Sequence, residues 1–369
     1  MASRLRTIVI GTALTEASDQ LVRNGLRVAR AAGARLRLVH AFQSPLAYAG
    51  EDPSVYGPEL IEGKREGRRA RLDAQVARLG IRPEELAGSS VIHGAPHFAL
   101  AEAAAAAGAD LIVVAAAESW GRLATLLGST ADRLVRIASC PVLVIRGPLA
   151  VPPRHVLVGV DLSPISGEAL AKGLEIVGSL GGLGGLGVLG SQGAPGGPRA
   201  GAGAAMADWR GPGGAGVAQA LLVVETEPPL PDQLGDRSAP PFMPIAPIAP
   251  IAPATIAALD RFVAENSPPG WQVTPLIRSG THAAGKILEM SEDLESDLLV
   301  VGSHGREGFS RRLLGSVAEM VLRHSAISVL VVPPAAAGAA AMAAAGADTA
   351  ASAAGAAVAA SRAAAHPRG

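Results

Sequence analysis

A repeated segment is the strongest constraint on the fold of this chain. Residues 110–147 read DLIVVAAAESWGRLATLLGSTADRLVRIASCPVLVIRG, and they align without a gap on residues 297–334. Residues 7–18 align in the same way on residues 155–166. Because self-similarity of this kind is the mark of a duplicated unit, the sequence predicts two copies of one fold, with a boundary near residues 148–153.

Each copy alternates short apolar segments with longer amphipathic ones. In the first copy we predict strands at 7–11, 35–41, 89–93, 111–115 and 142–145, with helices between them at 16–32, 58–79, 96–107 and 130–138. Strands that alternate with helices imply parallel pairing through right-handed crossovers, and near-continuous Val/Ile/Leu runs are typical of sheets buried on both faces. The predicted fold class is therefore α/β, with two tandem five-stranded, doubly wound parallel-sheet sandwiches.

The second copy follows the same plan with additions. We predict its strands at 156–160, 220–225, 272–278, 298–301 and 327–332, and its helices at 166–177, 255–265, 283–294 and from 316 onward. Gly-rich and Pro-rich stretches cannot bury enough apolar surface to offset their ordering entropy, so we expect disorder in these inserts and in the Ala-rich C-terminal tail. The predicted units are 1–148, 154–334 (with a Gly-rich insert at 178–216 and a Pro-rich loop at 227–253) and a tail at 335–369.

Charge and cysteine content exclude several classes of partner. Lys and Arg number 32 and Asp and Glu number 32, so no net charge points to nucleic acid or to an anionic membrane. No apolar run reaches the ~18 residues of a spanning helix. The single cysteine, Cys140, excludes an internal disulfide, and we expect it to be a small core residue in a cytoplasmic protein.

Glycines mark a candidate anion site in the second copy. Gly302 and Gly305 follow the predicted strand 298–301, and Gly315 directly precedes Ser316, where a helix is predicted to begin. Glycine lets the backbone approach a ligand closely, and the first amides of a helix favour an anion. Ser316 and Glu319 also match a capping box, which would fix where this helix begins. The sequence thus predicts backbone donors for a phosphate at the end of a strand.

These residues resemble the nucleotide-binding signature of the universal stress protein family. The similarity lies in Gly302-x-x-Gly305, nine residues, Gly315-Ser316, and in the opening VLVGVDLSP, which ends its strand at Asp161. The resemblance implies an adenine nucleotide alpha hydrolase-like fold, a role in stress endurance, and ATP as ligand, with or without Mg²⁺. It places Asp161 at the adenosine and the glycine loop at the phosphates and ribose. The full implied nucleotide-binding set is Gly159, Val160, Asp161, Gly302, Ser303, His304, Gly305, Gly315, Ser316 and Val317.

The first copy departs from this pattern. Ala13 stands in place of Asp161, Ala115 in place of Gly302, and Glu118 in place of Gly305, while Gly128-Ser129 is retained. A carboxylate at the position of Glu118 would repel phosphate oxygens. We therefore predict one nucleotide site per chain, in the second copy.

Other interpretations stay open at this point. Asp161 can also serve as a turn residue before Ser163-Pro164. Residues 280–286 match most of a Walker A motif, but Ile287 follows Lys286 where a Ser or Thr would bind Mg²⁺. Glu225 is a candidate water-orienting base. No set of catalytic residues is predicted, so at most slow ATP hydrolysis is expected.

Three functions follow from these patterns. The first is an ATP-binding, nucleotide-dependent stress sensor or switch. The second is an interaction or dimerisation module of the same fold that binds no nucleotide, and the weakest is a P-loop ATPase. Family members pair through their last strands, so the apolar strands at 142–145 and 327–332 are predicted to pair inside one chain; a homodimer is also compatible with the sequence.

Overall fold

A computed structural model describes residues 5–43, 58–116, 128–181, 217–225, 251–304 and 314–334. Within these ranges ten strands alternate with eight α-helices. The strands are β1 (Thr7–Gly11), β2 (Arg35–Phe42), β3 (Leu86–His93), β4 (Leu111–Ala115), β5 (Val142–Ile145), β6 (His155–Val160), β7 (Val217–Glu225), β8 (Val273–Gly280), β9 (Leu298–Gly302) and β10 (Ser328–Val332). The helices are α1 (Glu16–Ala32), α2 (Pro58–Arg78), α3 (Pro96–Ala107), α4 (Ser129–Ile137), α5 (Pro164–Ser179), α6 (Pro253–Asn266), α7 (Ala283–Asp293) and α8 (Ser316–His324).

All ten strands form one sheet in the order β3-β2-β1-β4-β5-β10-β9-β6-β7-β8. Pairing within each half is parallel, and only β5 with β10 is antiparallel. The predicted fold class of two tandem five-stranded α/β units is confirmed. In each half the strand order reverses at one point, between β1 and β4 and between β6 and β9, which leaves a crevice beyond the carboxyl ends of those strands.

The two halves meet along β5 and β10, as the sequence predicts. Leu143 pairs with Leu330, and the flanking pairs are Val142 with Val331 and Val144 with Val329. Because Leu143 and Leu330 occupy the same position in the two copies, a pseudo-two-fold axis passes through this pair. The pairing covers two apolar strand edges that would otherwise be open to another chain.

Charged side chains reinforce this junction on the face of α4 and α8. Arg136 of α4 lies 3.1 Å from Glu319 of α8, and Arg323 of α8 lies 3.7 Å from Asp132 of α4, so the two contacts are related by the pseudo-two-fold. The buried Arg146 side chain also donates a hydrogen bond to the carbonyl of Leu322. Ion pairs and a hydrogen bond therefore join side chains of one half to groups of the other.

The Asp-Leu pair shared by the two copies has a structural role. The Asp110 carboxylate accepts hydrogen bonds from the backbone amides of Arg6 and Thr7, at 2.7 and 3.0 Å. Asp297 does the same for the amides of Arg154 and His155, at 2.7 and 3.1 Å. These hydrogen bonds hold the start of β1 beside β4 in the first half and the start of β6 beside β9 in the second half.

Helices cover both faces of the sheet. Helices α1, α2, α5 and α6 contribute to one core layer, and α3, α4, α7 and α8 contribute to the other. Gly25 and Gly173, at equivalent positions in α1 and α5, allow close approach to the sheet. A Cβ atom at residue 25 would lie 1.9 Å from Ile10 Cδ1, and one at residue 173 would lie 2.6 Å from Val300 Cγ1.

Several element bounds differ from the sequence prediction. Helix α5 continues through Gly178 and Ser179, which were predicted to begin the insert, because its end packs on Trp271; a Cβ at residue 178 would lie 3.5 Å from that indole. Strand β3 begins earlier than predicted because its first residues pair with β2. The rest of both inserts (182–216 and 226–250) and the tail lie outside the described residues.

Among the residues described, no helix combines the length and the apolar character needed to cross a bilayer.

The pKa values of two buried histidines are lowered by burial. His40 is 7% exposed, and its Nδ1 lies 2.8 Å from the carbonyl oxygen of Thr12, which accepts the hydrogen bond. Burial lowers the pKa of His40, and the nearby cations of Arg68 and Arg71 lower it further. Burial also lowers the pKa of His97.

Replacing His40 with asparagine should flatten the acid side of the stability profile. Because the pKa of His40 is lower in the folded state than its ordinary 6.5, the unfolded chain binds more protons as the pH falls below about 6.5, and the free energy of unfolding decreases. In His40→Asn the amide can still donate to Thr12 but does not titrate. Urea midpoints measured from about pH 7.5 to 5 should therefore fall less steeply than in the parent. An unchanged slope would contradict a titrating role for His40.

Candidate functional site

The candidate site lies at the carboxyl ends of β6 and β9. These strands run parallel and in register, with Val156 beside Leu298 and Val158 beside Val300. Asp161 therefore follows β6 at the same edge of the sheet at which Gly302 ends β9. This is the point at which strand order reverses in the second half, where open α/β sheets place their ligands.

Asp161 starts a tight turn into helix α5. Its Oδ1 accepts a hydrogen bond from the amide of Ser163 at 3.0 Å, and its own amide donates to Ser166 Oγ at 3.3 Å. Leu162 takes a left-handed φ of 63°, and the Ser163 side chain caps α5. The turn role predicted as an alternative for Asp161 is thus present. It holds the carboxylate at the strand end.

Gly302 allows α5 to lie close over the end of β9. A Cβ at residue 302 would lie 3.4 Å from Ile165 Cγ2 and 3.4 Å from the His304 carbonyl oxygen. Ser303, 1% exposed, donates its amide to the Val332 carbonyl at 2.9 Å. Its Oγ lies 2.8 Å from Nδ1 of His304, which orients the imidazole. The strand end is therefore held by both β10 and α5.

The chain returns to this strand end at Gly315. The Gly315 amide donates to the Ser303 carbonyl at 2.8 Å, which places the start of α8 beside β9. The helix begins at Ser316, and its N-cap is Gly315, with φ −61° and ψ 145° and no side-chain capping bond. Val317 follows in the first turn. Gly305 and the rest of the predicted glycine loop, 306–313, lie outside the described residues.

The capping box predicted from Ser316 and Glu319 is wrong. Ser316 is the first residue inside the helix, not its N-cap, so its hydroxyl is not placed to cap the later amides. The Glu319 carboxylate is instead bonded to Arg136 and Arg323. As a result, no side chain of the described ranges caps the first turn of α8.

A side chain from a neighbouring strand caps the start of helix α7. The Glu225 carboxylate accepts a hydrogen bond from the amide of Ala283, in the first turn of α7, at 2.8 Å. Lys286 Nζ lies 2.6 Å from Glu289 Oε2 on the same helix. A carboxylate of the protein itself therefore occupies the position at which the P-loop hypothesis needs a phosphate. Lys286, the lysine of that motif, forms an ion pair with Glu289. Glu225 caps this helix, and its candidate role as a water-orienting base stays a prediction.

Gly159 and Val160 lie in the core beneath the strand end. A Cβ at residue 159 would lie 3.0 Å from Ile287 Cδ1 of α7, so glycine there permits helix packing. Val160 is 7% exposed and belongs to the opposite core layer. The structure gives both residues a packing role, and their place in the nucleotide-binding set stays a prediction.

The first half repeats the backbone of the site with different side chains. The Ala116 amide donates to the Ile145 carbonyl at 3.0 Å, and the Gly128 amide donates to the Ala116 carbonyl, as Ser303 and Gly315 do in the second half. Helix α4 likewise has a glycine N-cap, Gly128, without a side-chain capping bond. Thr12 Oγ1 accepts from the Leu14 amide at 3.2 Å and so replaces the turn contact of Asp161.

A buried polar network supports this first-half turn. Thr12 Oγ1 lies 3.0 Å from both Ser18 Oγ and Gln75 Oε1, and Gln75 Nε2 donates to Asp19 Oδ1 at 2.7 Å. Arg78 pairs with Asp19 at 2.8 Å. Burial disfavours the charge on Asp19, but hydrogen bonds from Arg78 and Gln75 hold the pKa of this carboxyl below its usual value. Sequence reasoning missed the network because no motif connects residues on two different helices.

A cavity of about 370 Å³ lies at the carboxyl ends of β1 and β4. Small apolar residues, among them Ala13, Ala17 and Ala115, make up much of its described lining. Its polar members are Thr12, Thr15 and Ser18 near α1, and Ser129 and Thr130 at the start of α4. No charged side chain occurs among the residues known to line it. The first half therefore keeps the shape of a site but not the carboxylate of the second half.

Neither a metal site nor a reactive cysteine is supported by the residues that the structure describes. No group of three or more His, Cys, Asp or Glu side chains there is arranged to hold a metal ion. Cys140 packs against the core layer of α3, α4, α7 and α8, and burial raises the pKa of its thiol to about 12. The thiol is protonated at neutral pH, in agreement with the predicted core role.

Comparisons with known proteins agree on one family. The sequence model of the universal stress protein family matches residues 4–146 and 220–333. A universal stress protein encoded in the QAH/OAS sulfhydrylase 3′ region of Thermus aquaticus is 34% identical over 119 residues, which is 32% of this chain and 82% of that protein. A universal stress protein of Methanocaldococcus jannaschii is 47% identical over 49 residues, which is 13% of this chain and only 29% of that relative.

A solved structure matches both halves at once. It is a functionally unknown protein from Pseudomonas aeruginosa PAO1, with a TM-score of 0.59 over 93% of this chain and 97% of that chain. At 17% sequence identity, this likeness concerns the fold alone.

Proposed function

The chain belongs to the universal stress protein family, and on this basis we propose that it is a nucleotide-dependent stress-response sensor or switch. It binds one adenine nucleotide, ATP with or without Mg²⁺, in a unit spanning residues 154–334. A first unit, residues 1–148, has the same fold without this site. We infer the identity of the ligand from the family, and we infer its position from the geometry of the second half.

The glycine start of α8, which no side chain within the described ranges caps, is the observation that carries the proposal. Gly315, held against Ser303 by a 2.8 Å hydrogen bond, begins α8 at a strand-order reversal, and no side chain of the described residues caps its first-turn amides. Helix N-termini of this kind bind phosphate through their amides and dipole. In the same half, the Glu225 carboxylate already bonds an amide in the first turn of α7, so α7 is a weaker candidate than α8 for the phosphate position.

Asp161 supports the nucleoside end of the same site. Its backbone is fixed by Ser163 and Ser166, which places a carboxylate at the end of β6, next to Gly302. A carboxylate there accepts hydrogen bonds from ribose hydroxyls or from an adenine amine. In the proposed site, Gly302, Ser303, His304 and Gly305 lie toward the phosphates with Gly315, Ser316 and Val317.

Isothermal titration of the full chain with ATP tests the proposal. We expect saturable binding with one site per chain and a rise in melting temperature that grows with ATP concentration, because ATP binds only the folded state. Absence of heat together with an unchanged melting temperature would overturn the proposal. That result would favour the second candidate, an interaction module of the same fold that binds no nucleotide.

Substitution of Asp161 should separate its two roles. Asp161→Ala removes both the nucleoside contact and the turn contact to Ser163, and we expect ATP to bind about 10- to 100-fold more weakly. Asp161→Asn keeps an oxygen for the turn and should leave the free energy of unfolding within about 0.5 kcal/mol of the parent while still weakening ATP. Titration calorimetry and urea unfolding measure the two quantities. Parental ATP affinity in both variants would show that Asp161 is only a turn residue.

A further inference from the structure

We propose that the cavity of the first half is a second ligand site, which binds a small, uncharged, largely apolar molecule with one hydrogen-bond acceptor. This inference goes beyond the nucleotide site and does not depend on it. It rests on the position of the cavity, on the chemistry of its wall and on the groups at its polar end.

The position and size of the cavity are those of a ligand site. It lies where the strand order reverses between β1 and β4, at the carboxyl ends of both strands. Its volume of about 370 Å³ is within the range of small-molecule pockets and equals that of about a dozen water molecules. A space of this size at a strand-order reversal is therefore a candidate ligand site.

The described part of the wall carries no charged side chain. Ala13 and Ala115 stand where the second half has Asp161 and Gly302, so neither a carboxylate nor an exposed backbone end faces the ligand there. Thr12, Thr15 and Ser18 also line this wall, but the hydroxyls of Thr12 and Ser18 are engaged in the network with Gln75, and that of Thr15 accepts from the Ser18 amide. The remaining surface in this region is chiefly aliphatic and favours an apolar ligand.

One end of the cavity offers hydrogen-bond donors. Ser129 and Thr130 line it at the start of α4, whose N-cap, Gly128, makes no side-chain capping bond. Amides and hydroxyls at this end are suited to a carbonyl or ether oxygen of the ligand. A single acceptor at one end of an apolar body therefore matches the described lining of the cavity.

Fluorescence titration of the full chain with the neutral carbonyl dye Prodan tests the site. We expect saturable binding with one dye per chain in the presence of excess ATP. Neutral 2-acetylnaphthalene should displace the dye better than 2-isopropylnaphthalene, which has a similar shape but no acceptor, and better than the anion 2-naphthoate. Non-saturable fluorescence, or displacement by ATP or adenosine at one equivalent, would overturn the proposal.

Variants locate the bound dye. Ala17→Phe fills the cavity from α1 and should weaken Prodan at least about tenfold, whereas Ala106→Phe adds the same side chain on the exposed face of α3 and should leave binding unchanged. Ala13→Asp should weaken the dye about tenfold through desolvation of the carboxylate, and Ala13→Asn should weaken it less. The asparagine control keeps the proposal testable if Ala17→Phe does not fold. Parental dye affinity in Ala17→Phe and in Ala13→Asp would refute the site.

Discussion

An aspartate in place of Gly315 should weaken ATP binding at least about a hundredfold, a loss near 2.8 kcal/mol, while leaving the ligand-free protein slightly more stable. Gly315 has φ −61°, which any residue can adopt, so the substitution introduces no backbone strain. The new carboxylate would cap the amides of α8 as Glu225 caps α7. The helix start would then already hold an anion.

This prediction is specific because the same substitution should weaken ATP binding and raise the free energy of unfolding of the ligand-free protein. At an effective dielectric constant near 20, two unit charges about 4 Å apart repel by about 4 kcal/mol, and the aspartate also competes for the amides that the phosphates need. Without ATP, an aspartate N-cap stabilises the helix relative to glycine by a few tenths of a kcal/mol, and the dipole adds about 0.3–1 kcal/mol. Titration calorimetry gives the affinity, and urea unfolding gives the stability.

Two variants serve as controls. Gly315→Asn caps the helix without charge and should weaken ATP by only about tenfold, since one donor is lost but no repulsion is added. Gly128→Asp makes the same change at the equivalent cap of α4 in the first half. It should leave ATP affinity unchanged if the only nucleotide site is in the second half. Parental affinity in Gly315→Asp would place the phosphates elsewhere.

An aspartate in place of Val144 should cost about 4 kcal/mol or more of the free energy of unfolding at neutral pH. Val144 is fully buried and pairs with Val329 at the junction of β5 and β10, in the middle of the ten-stranded sheet. A carboxylate there loses its hydration and finds apolar strands on both sides. Since both halves bury surface against this pair, we expect the substitution to destabilise both halves of the sheet.

Comparison with two milder changes isolates the buried charge. Val144→Ala removes volume only and should cost about 2 kcal/mol. Thr274→Asp places the same acid on the exposed edge strand β8 and should change stability by less than about 0.5 kcal/mol. Urea unfolding of the three variants measures these values. If Val144→Asp unfolded with a cost similar to Val144→Ala, the β5–β10 pairing would not be the buried centre of the sheet.

Much of the architecture could be predicted from the chain because its signals are local. The gapless repeat, the Val/Ile/Leu strands and the glycine positions each depend on residues a few positions apart, and they led to the alternation of strands and helices that the structure has. The pairing of Val142–Ile145 with Ser328–Val332 was also predictable, since two apolar edges in one chain need a partner. Errors at element ends, as in α5 and β3, arose where packing on Trp271 or pairing with β2 extends an element.

The chemistry at helix ends was not predictable in the same way. The S-x-x-E pattern at Ser316 suggested a capping box, but the Glu319 carboxylate is taken by Arg136 from the other half, 183 positions away. Likewise, the Walker-like segment gave no sign that Glu225 would cap α7 from 58 positions away. Propensity fixes where a helix begins within a residue or two, whereas long-range contacts determine which group satisfies its amides.

The sequence by itself determined the duplication, the family, and the presence of Asp161 and the glycines in only one of the two copies. Only the tertiary structure decided that Glu225 caps α7 while no described side chain caps α8, and that the first half has a cavity beside the Asp19–Gln75–Arg78 network. The physical reason is that local patterns depend on neighbours along the chain. Cavities, caps and buried networks depend instead on side chains that meet only after the crossovers have brought distant helices against the same sheet.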